Sequence, residues 1–439
     1  MKVGILGGGL AGLTLGKLLR CHVEILEKET ECGGLMRSLR KNGFTFDYGG
    51  SHIIFSKNKA TLKFIFGILG ENKIRNKRNT KVLYNGCYVK YPFENWLSDL
   101  PLKDNFECLY HFIQNLIKKE KGELKTPINL KEWCYYTFGS SIAEKYLIPY
   151  NEKIWKYPLE KISLDWVKRI PCPPAEDVIK ASLGLNKEGY VHQLYFYYPK
   201  KGGIQAIIKS LERDILKSQK KYTTNFSVTH IEKAVNKWIV ANEHDRRVYD
   251  KIISTIPIFE LANSMDNIPA EILKCISNLK YNSLITVMAG LDAPKVSDLS
   301  WLYLPQKNTL VHRVSFPSNY SPFTAPKNKS SILAEITCQP ESTLWNGNNR
   351  AIEEQVIKEL DQLNIIDMTD VEFTVTRKTK YAYVINDHMR SENVRKIKEY
   401  FKSIGIPIIG RFSEFEYLNM DNSITHAMGL YKKLRGEYN

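Results

Sequence analysis

MKVGILGGGLAGLTLGKLLRCHVEILEKETECGGLMRS, residues 1–38, sets the frame in which the rest of the chain is read. KVGIL reads as a short buried strand, GGGLAG as a glycine turn, LTLGKLL as an apolar helix and HVEILE as a second strand. In that context the spacing Gly7-x-Gly9-x-x-Gly12 predicts a dinucleotide-binding turn, because each glycine has its own task. Gly7 makes the tight turn, Gly9 lets the backbone approach a pyrophosphate, and Gly12 lets helix and strand pack closely. The helix that opens at Leu10 and Ala11 aims its free amides at the phosphates. Glu27 closes the second strand, where a carboxylate accepts hydrogen bonds from both hydroxyls of a ribose and repels a 2′-phosphate; Lys28, next to it, is assigned to the same site.

The 439 residues carry 63 Lys+Arg against 47 Asp+Glu, a formal charge of +16, with 43% hydrophobic and 25% charged residues. That balance fits a folded chain of two or three domains and excludes a disordered tail. No apolar run approaches the roughly 18 residues of a membrane span. The N-terminal apolar stretch is broken by glycines and belongs to the turn motif, so it is not read as a signal peptide, and the chain is expected in the cytoplasm. The lysine runs KKEKGELK from Lys118 and KSQKKY from Lys217 lack the interleaved aromatics and arginines of a nucleic-acid groove, so they read as solvated faces. A small anionic ligand is expected instead, and no nucleic acid. The eight cysteines form no CxxC pair, which argues against a disulfide framework and against a metal site.

The pattern turns irregular between about Phe64 and Asn95, then is mainly helical from Leu100 to about Leu147. IQAIIKSLERDI reads as a helix, and SVTHIEKAVNKWIV and RVYDKIISTIP as paired strands with short turns. LITVMAGL, LVHRVSF and SILAEIT read as strands interrupted by the helix AIEEQVIKELDQL, and IPIIGR as one last buried strand.

The cofactor reading sharpens at Gly33 and Gly34. ILEKETECGGLMRS, with Leu35 and Arg37 behind the glycine pair, and FDYGGSHII, with Gly50, Ser51 and His52, resemble the flavoproteins that include amine oxidases, protoporphyrinogen oxidase and UDP-galactopyranose mutase. A glycine pair after the acidic residue is typical there of FAD bound in an extended form. The resemblance implies an α/β fold: a Rossmann-like FAD-binding domain of the glutathione-reductase and amine-oxidase type, with an inserted helical and antiparallel-sheet substrate domain. It assigns 1–60, 190–265 and 400–439 to FAD binding. Residues 61–189 and 266–399 go to the substrate, helical near 95–189 and sheet near 270–395. Gly410, Arg411, Met420, Asn422 and Ser423 are expected at the ribityl and phosphate portion, and His52 near the flavin ring.

More specific strings point to the mutase branch. YNEKIWKYPLEKISLDWVKRIP (150–171) is similar to the mutase segment that carries a uracil-stacking tyrosine, a sugar-site tryptophan and a diphosphate arginine, here Tyr150, Trp155 and Arg169. KRNTKVLYNGCYVKYPFE places Asn79 at a polar substrate position. VHRVSFPSNYS carries Arg313 where the family has its second diphosphate arginine, KYAYVIND offers Tyr381 and Tyr383, and GRFSEFEYLNM ends in Tyr417. Tyr195 opens YFYYPKKGGIQAI, which also resembles oxidase-like members. GGLMRS is closer to an amine oxidase, PCPPAEDVIKASLGLNKEG departs from the mutases' mobile loop, and the resemblance does not extend to 265–305.

The resemblance implies a flavin-dependent mutase interconverting pyranose and furanose forms of a nucleotide diphosphate sugar, expected to be UDP-linked, through attack of reduced FAD N5 on the anomeric carbon. Arg169 and Arg313 anchor the diphosphate, since a planar guanidinium makes paired charged hydrogen bonds to it. Tyr381 and Tyr417 assist, and His52 shapes the surroundings of N5. Two alternatives stay open: an FAD-dependent oxidase or dehydrogenase, and a non-catalytic binding protein of the same fold. A homo-oligomer is also left open.

Overall fold

A computed structural model of the protein describes residues 1–185, 194–218 and 220–438. The motif folds as the pattern requires: β1 (Lys2–Leu6), α1 (Leu10–Leu18) and β2 (His22–Leu26) form a strand–turn–helix–strand unit. β1 and β2 pair in parallel and lie at the centre of a four-stranded sheet, flanked by the strands Lys251–Ser254 and Lys221–Thr223. Val3, Ile5, Val23 and Ile25 are fully buried because α1 and the helix Gln205–Lys217 cover the sheet. Hydrophobic burial on this scale, about 25 cal/mol per Å², fixes the register of the parallel strands.

The residues read as paired strands divide between two sheets. His230–Ala234, Lys237–Ala241 and Arg246–Tyr249 form an antiparallel meander, while Lys251–Ser254 leaves it to pair with β1. IPIIGR is not a full strand. Ser254 donates to the Pro407 carbonyl and accepts from Ile409, a single parallel bridge at Ile408. Pro407 has no N–H to donate and Gly410 turns away at φ 107°, so the ladder stops there.

The second body is a mixed seven-stranded sheet, ordered Val371–Val384, Tyr281–Leu291, Ser330–Cys338, Arg313–Ser315, Trp301–Tyr303, Thr80–Tyr84, Cys87–Lys90. The helix Asn349–Gln362 covers part of it, and the helices Leu102–Glu120 and Leu130–Ile142 continue the chain beyond its other edge. The stretch 64–95, irregular by pattern, contains the end of a helix, Lys59–Leu69, and three strands. Ile74–Lys77 pairs with Tyr195–Tyr198 and Thr80–Tyr84 with Trp301–Tyr303, partners more than a hundred residues away.

The expected domain boundaries need adjustment. Position 60/61 falls inside the helix Lys59–Leu69, whose Ile65 and Leu69 pack into the core under β1 and β2. The helices Ala270–Ser277 and Arg390–Ser403 share a core with Tyr249 and Ile252, on the dinucleotide side of the molecule. The boundary near 189/190, and part of the departing loop after Pro171, lie outside the described residues.

Candidate cofactor and substrate site

The glycine turn is built as a cradle. A Cβ on Gly12 would lie 2.1 Å from the Gly7 carbonyl oxygen, and one on Gly7, at φ 103°, would lie 2.5 Å from Thr255 Oγ1. A Cβ on Gly9 would meet nothing within 4 Å, so the space in front of that residue is open. Gly9 caps α1 without a side-chain hydrogen bond, which leaves the amides of Leu10, Ala11 and Gly12 pointing out of the helix start. Gly33 (φ 135°) and Gly34 (φ 55°) form the wall opposite: Gly33 donates to the Gly8 carbonyl at 2.9 Å, and Gly34 lies beside Gly9. Leu35 is half-buried behind them. Arg37 reaches back to the Gly34 carbonyl at 3.2 Å.

Glu27 is 7% exposed and receives Gly8 N–H at 2.8 Å and Glu29 N–H at 3.0 Å. Burial raises its pKa and those two donors resist the rise, so the carboxylate is held in place at the end of β2. Lys28 turns away from it onto Glu260 at 2.9 Å, contrary to its assignment to the cofactor. Gly410 closes the cradle from the C-terminal side: a Cβ there would be 3.3 Å from that of Ala11. The helix Met420–Tyr438 begins just beyond, with Ser423 Oγ bonded to the Asn419 carbonyl and Met420 packed on the sheet core; Asn422 lies in its first turn. Glu414, Glu416 and His426 converge nearby, and the Lys398 ammonium stands 3.3 Å from Glu414 and 2.5 Å from Glu416, so protein cations balance this cluster.

Between the cradle and the large sheet runs the loop that carries Gly50, Ser51 and His52. His52 Nδ1 is 2.7 Å from the Gly50 carbonyl. Burial lowers the pKa of His52, with Asp47 and Glu335 opposing and Arg411 reinforcing, which favours a neutral imidazole. Asp47 itself is fixed by Tyr198 Oη (2.6 Å), Ser38 Oγ (2.7 Å) and the Ile204 amide (3.0 Å). Ser51 donates its amide to Glu335 at 3.0 Å and shares a hydrogen bond with Tyr320.

A cluster of rings and guanidinium groups lies next to this loop. Tyr417 has Arg411 4.1 Å and Arg169 4.9 Å from its ring centroid, with Trp166 edge-on at 4.9 Å and Tyr383 at 5.9 Å. Arg169 bonds the Tyr417 carbonyl, and Arg411 bonds the carbonyls of Leu418 and Ala382. Among the described residues neither forms an ion pair with a carboxylate. Two buried donors at this cluster, Arg411 Nε and Trp166 Nε1, have no hydrogen-bond partner. Such unmatched donors are costly and suit an acceptor-rich ligand.

The other predicted site residues are placed differently. Arg313 forms a two-point pair with Glu335, Nε to Oε1 at 2.9 Å and Nη2 to Oε2 at 2.6 Å, so a carboxylate already occupies the fork expected to take a diphosphate. Trp155 is 1% exposed with its indole N–H on Asn151, so it packs beneath the cluster as core rather than facing a ligand. Tyr150 stacks on Tyr146 and meets Tyr303 edge-on. Tyr381 belongs to a separate aromatic group with Phe259, Tyr281 and Phe412. Asn79 is tied to the Asp298 carbonyl and to Ser300. Tyr195 is exposed under the Arg75 guanidinium, beside a pocket of about 170 Å³ that it lines with Ile53, Phe55, Arg78 and Phe196. Sequence reasoning missed Glu335, Trp166 and Asp47. Trp166 lies in the segment 150–171 and Asp47 in FDYGGSHII, the same strings that carry the resemblance; Glu335 lies in the strand SILAEIT, where an acidic residue among buried neighbours is the available signal.

The family described as NAD(P)-binding Rossmann-like domain matches residues 5–65. A 4,4′-diapophytoene desaturase (4,4′-diaponeurosporene-forming) of Staphylococcus aureus (strain bovine RF122 / ET3-1) is 35% identical over 75 residues. That match spans 16% of this chain and 14% of the desaturase. Among solved structures, reduced UDP-galactopyranose mutase superposes with a TM-score of 0.88 at 24% identity, covering 99% of this chain and 95% of the other. A candidate protoporphyrinogen oxidase from Exiguobacterium sp. 255-15 gives 0.79 at 14% identity over 99% of both chains. Putrescine oxidase bound to putrescine gives 0.67 at 14% identity over 100% of both. The chain therefore has an α/β Rossmann-like dinucleotide-binding fold shared by enzymes of differing chemistry.

Proposed function

We propose that the protein is an FAD-dependent mutase that interconverts the pyranose and furanose forms of a nucleotide diphosphate sugar, UDP-linked. The observation that carries this reading is the pair of guanidinium groups on Tyr417, Arg411 at 4.1 Å and Arg169 at 4.9 Å, with no carboxylate partner among the described residues. Two unpaired cations and two unmatched buried donors beside a dinucleotide cradle favour a second, dianionic ligand. An amine substrate would be repelled there.

The cradle residues suit FAD. The helix-start amides of Leu10 to Gly12 would hold its pyrophosphate, Glu27 its ribose, and the Gly50–His52 loop would face its ring. When bound and reduced, the flavin supplies a nucleophilic nitrogen for the anomeric carbon. This chain's residues then bind and stabilise charge. Arg169 and Arg411 hold the diphosphate as it departs and returns, which makes Arg411 rather than Arg313 the second anchor. Tyr417 and Tyr383 offer hydroxyls to the phosphate oxygens without added charge, and Tyr150 offers a face to the base. Arg313 acts through Glu335, which positions Tyr383 (3.4 Å) and the Ser51 amide.

A second reading, an FAD-dependent oxidoreductase, is favoured by the desaturase likeness, which is confined to 75 residues. The test is anaerobic incubation of dithionite-reduced protein with UDP-galactopyranose and chromatography for the furanose. Furanose formed only with reductant, and lost on the order of 100-fold in Arg411→Ala with flavin retained, is expected. Oxygen-consuming turnover of an amine or polyene, with no furanose, would overturn the mutase reading.

A further inference from the structure

Phe323 stands 44% exposed in the loop that precedes the strand Ser330–Cys338, and cations from three separate segments gather around it. The Lys201 ammonium lies 4.8 Å and the Lys200 ammonium 5.7 Å from its ring centroid. Arg40 belongs to the same surface, since a Cβ on Gly202 would lie 3.4 Å from its Nη2. Lys41 and Lys327 flank a second junction of the same segments, where a Cβ on Gly43 would meet Pro326 at 3.1 Å. All five basic residues are exposed, and among the described residues none of them pairs with a carboxylate. The carboxylates beside them, Glu372 and Asp292, are already engaged by Lys329.

The segments that carry these cations are tied together by their backbones. Ser321 Oγ donates to the Lys200 carbonyl at 2.6 Å, and the Thr45 amide donates to the Thr324 carbonyl at 2.8 Å. Asn72 and Lys201 exchange two hydrogen bonds, of 2.8 and 3.0 Å. Asn42 (φ 50°) and Gly43 (φ 82°) close the hairpin Ser38–Lys41/Phe44–Asp47 in the positive-φ conformation of a tight two-residue turn. Like charges held this closely repel one another, and an external array of anions removes the repulsion.

We infer that this surface docks the protein on an anionic lipid bilayer, its five cations over the headgroup phosphates and Phe323 at the acyl boundary. Ammonium groups on long apolar stems suit the diffuse negative field of a leaflet, where each basic side chain strengthens binding about fivefold. The exposed ring, with exposed Pro322 beside it, adds the apolar contribution that stable peripheral attachment needs alongside charge. A single-stranded nucleic acid calls for several rings along a groove, on which successive bases stack, and this surface offers one exposed ring. No helix among the described residues is long and apolar enough to cross a membrane, so the attachment is peripheral.

The test is co-sedimentation of the full-length protein, as purified, with vesicles of phosphatidylglycerol and phosphatidylcholine and with vesicles of phosphatidylcholine alone, at near-physiological salt. Binding to the anionic vesicles only is expected. Lys200→Gln combined with Lys201→Gln should weaken it on the order of 25-fold, and Phe323→Ala about fivefold, both with the wild-type unfolding midpoint. Lys274→Gln combined with Lys402→Gln removes the same charge from exposed positions on the helices Ala270–Ser277 and Arg390–Ser403, which pack on the core around Tyr249. That control should change binding less than about twofold, because charges beyond a Debye length of the bound surface are screened. No binding by the wild type, equal binding to uncharged vesicles, or equal loss in the two double variants would overturn the inference. So would a wild type that ignores vesicles and instead binds a single-stranded oligonucleotide through Lys200 and Lys201, which would make the surface a nucleic-acid site.

Discussion

Arg313 and Glu335 stand opposite each other on adjacent antiparallel strands and are joined by two hydrogen bonds of 2.9 and 2.6 Å, with the carboxylate wholly shielded from solvent. Burial alone disfavours the arginine's charge, but Glu335 outweighs it and pushes the Arg313 pKa well above its ordinary value. The pair also receives the Ser51 amide and approaches Tyr383, so it joins the loop next to the cradle to the large sheet. A charge matched this closely is a structural tie.

Removing one partner should therefore be felt as lost stability. Arg313→Ala leaves Glu335 buried and unpaired, a cost of about 3–5 kcal/mol. Denaturant unfolding should show that loss, and Arg313→Met combined with Glu335→Gln should recover much of it. An Arg313→Ala protein of unchanged stability that had lost only turnover would return Arg313 to the role of a free diphosphate anchor.

The glycines of the turn should separate folding from binding. A Cβ on Gly12 would fall 2.1 Å from a backbone oxygen, so Gly12→Ala forces α1 away from the turn and should prevent stable folding. A Cβ on Gly9 meets no protein atom within 4 Å. Gly9→Ala should fold with an unfolding midpoint near the wild type and yet hold far less flavin, read from the visible absorption of purified protein. Full flavin occupancy in Gly9→Ala would move the pyrophosphate elsewhere.

Glu94 should give the stability a pH dependence. It is 1% exposed, its Oε1 has no hydrogen-bond partner, and burial raises its pKa to about 8 from 4.5. The folded chain then holds a proton that the unfolded chain releases above pH 4.5. The favourable contribution is complete below that value, declines as pH rises, and is exhausted above about 8. Glu94→Gln keeps the shape without the titration, so it should stabilise by on the order of 3 kcal/mol at pH 7 and have little effect at pH 4. Equal effects at both pH values would contradict this assignment.

The dinucleotide half was legible because its signals are local. Gly7, Gly9 and Gly12 act within one turn, Glu27 ends the strand that follows, and an alternation of period two or 3.6 needs only neighbouring residues to be seen. The strands at 74–90 were missed because they are stabilised by segments at 195–198 and 301–303, and no window of sequence contains both partners. The arginines illustrate the same limit. Family order singled out Arg169 and Arg313, and placed Arg411 with the cofactor.

The sequence by itself determined the strand–turn–helix unit, the glycine cradle and the positions of Glu27, Gly33 and Gly34, since backbone sterics and hydrophobic period suffice for these. Only the tertiary structure decided which cations are free. Glu335 lies 22 residues from Arg313 and neutralises it, whereas Arg169 and Arg411, 242 positions apart in the numbering, converge on Tyr417 without a carboxylate among the described residues. Charge pairing depends on distances of a few ångströms between side chains from separate strands and loops, and the order of residues along the chain does not encode those distances in any readable way.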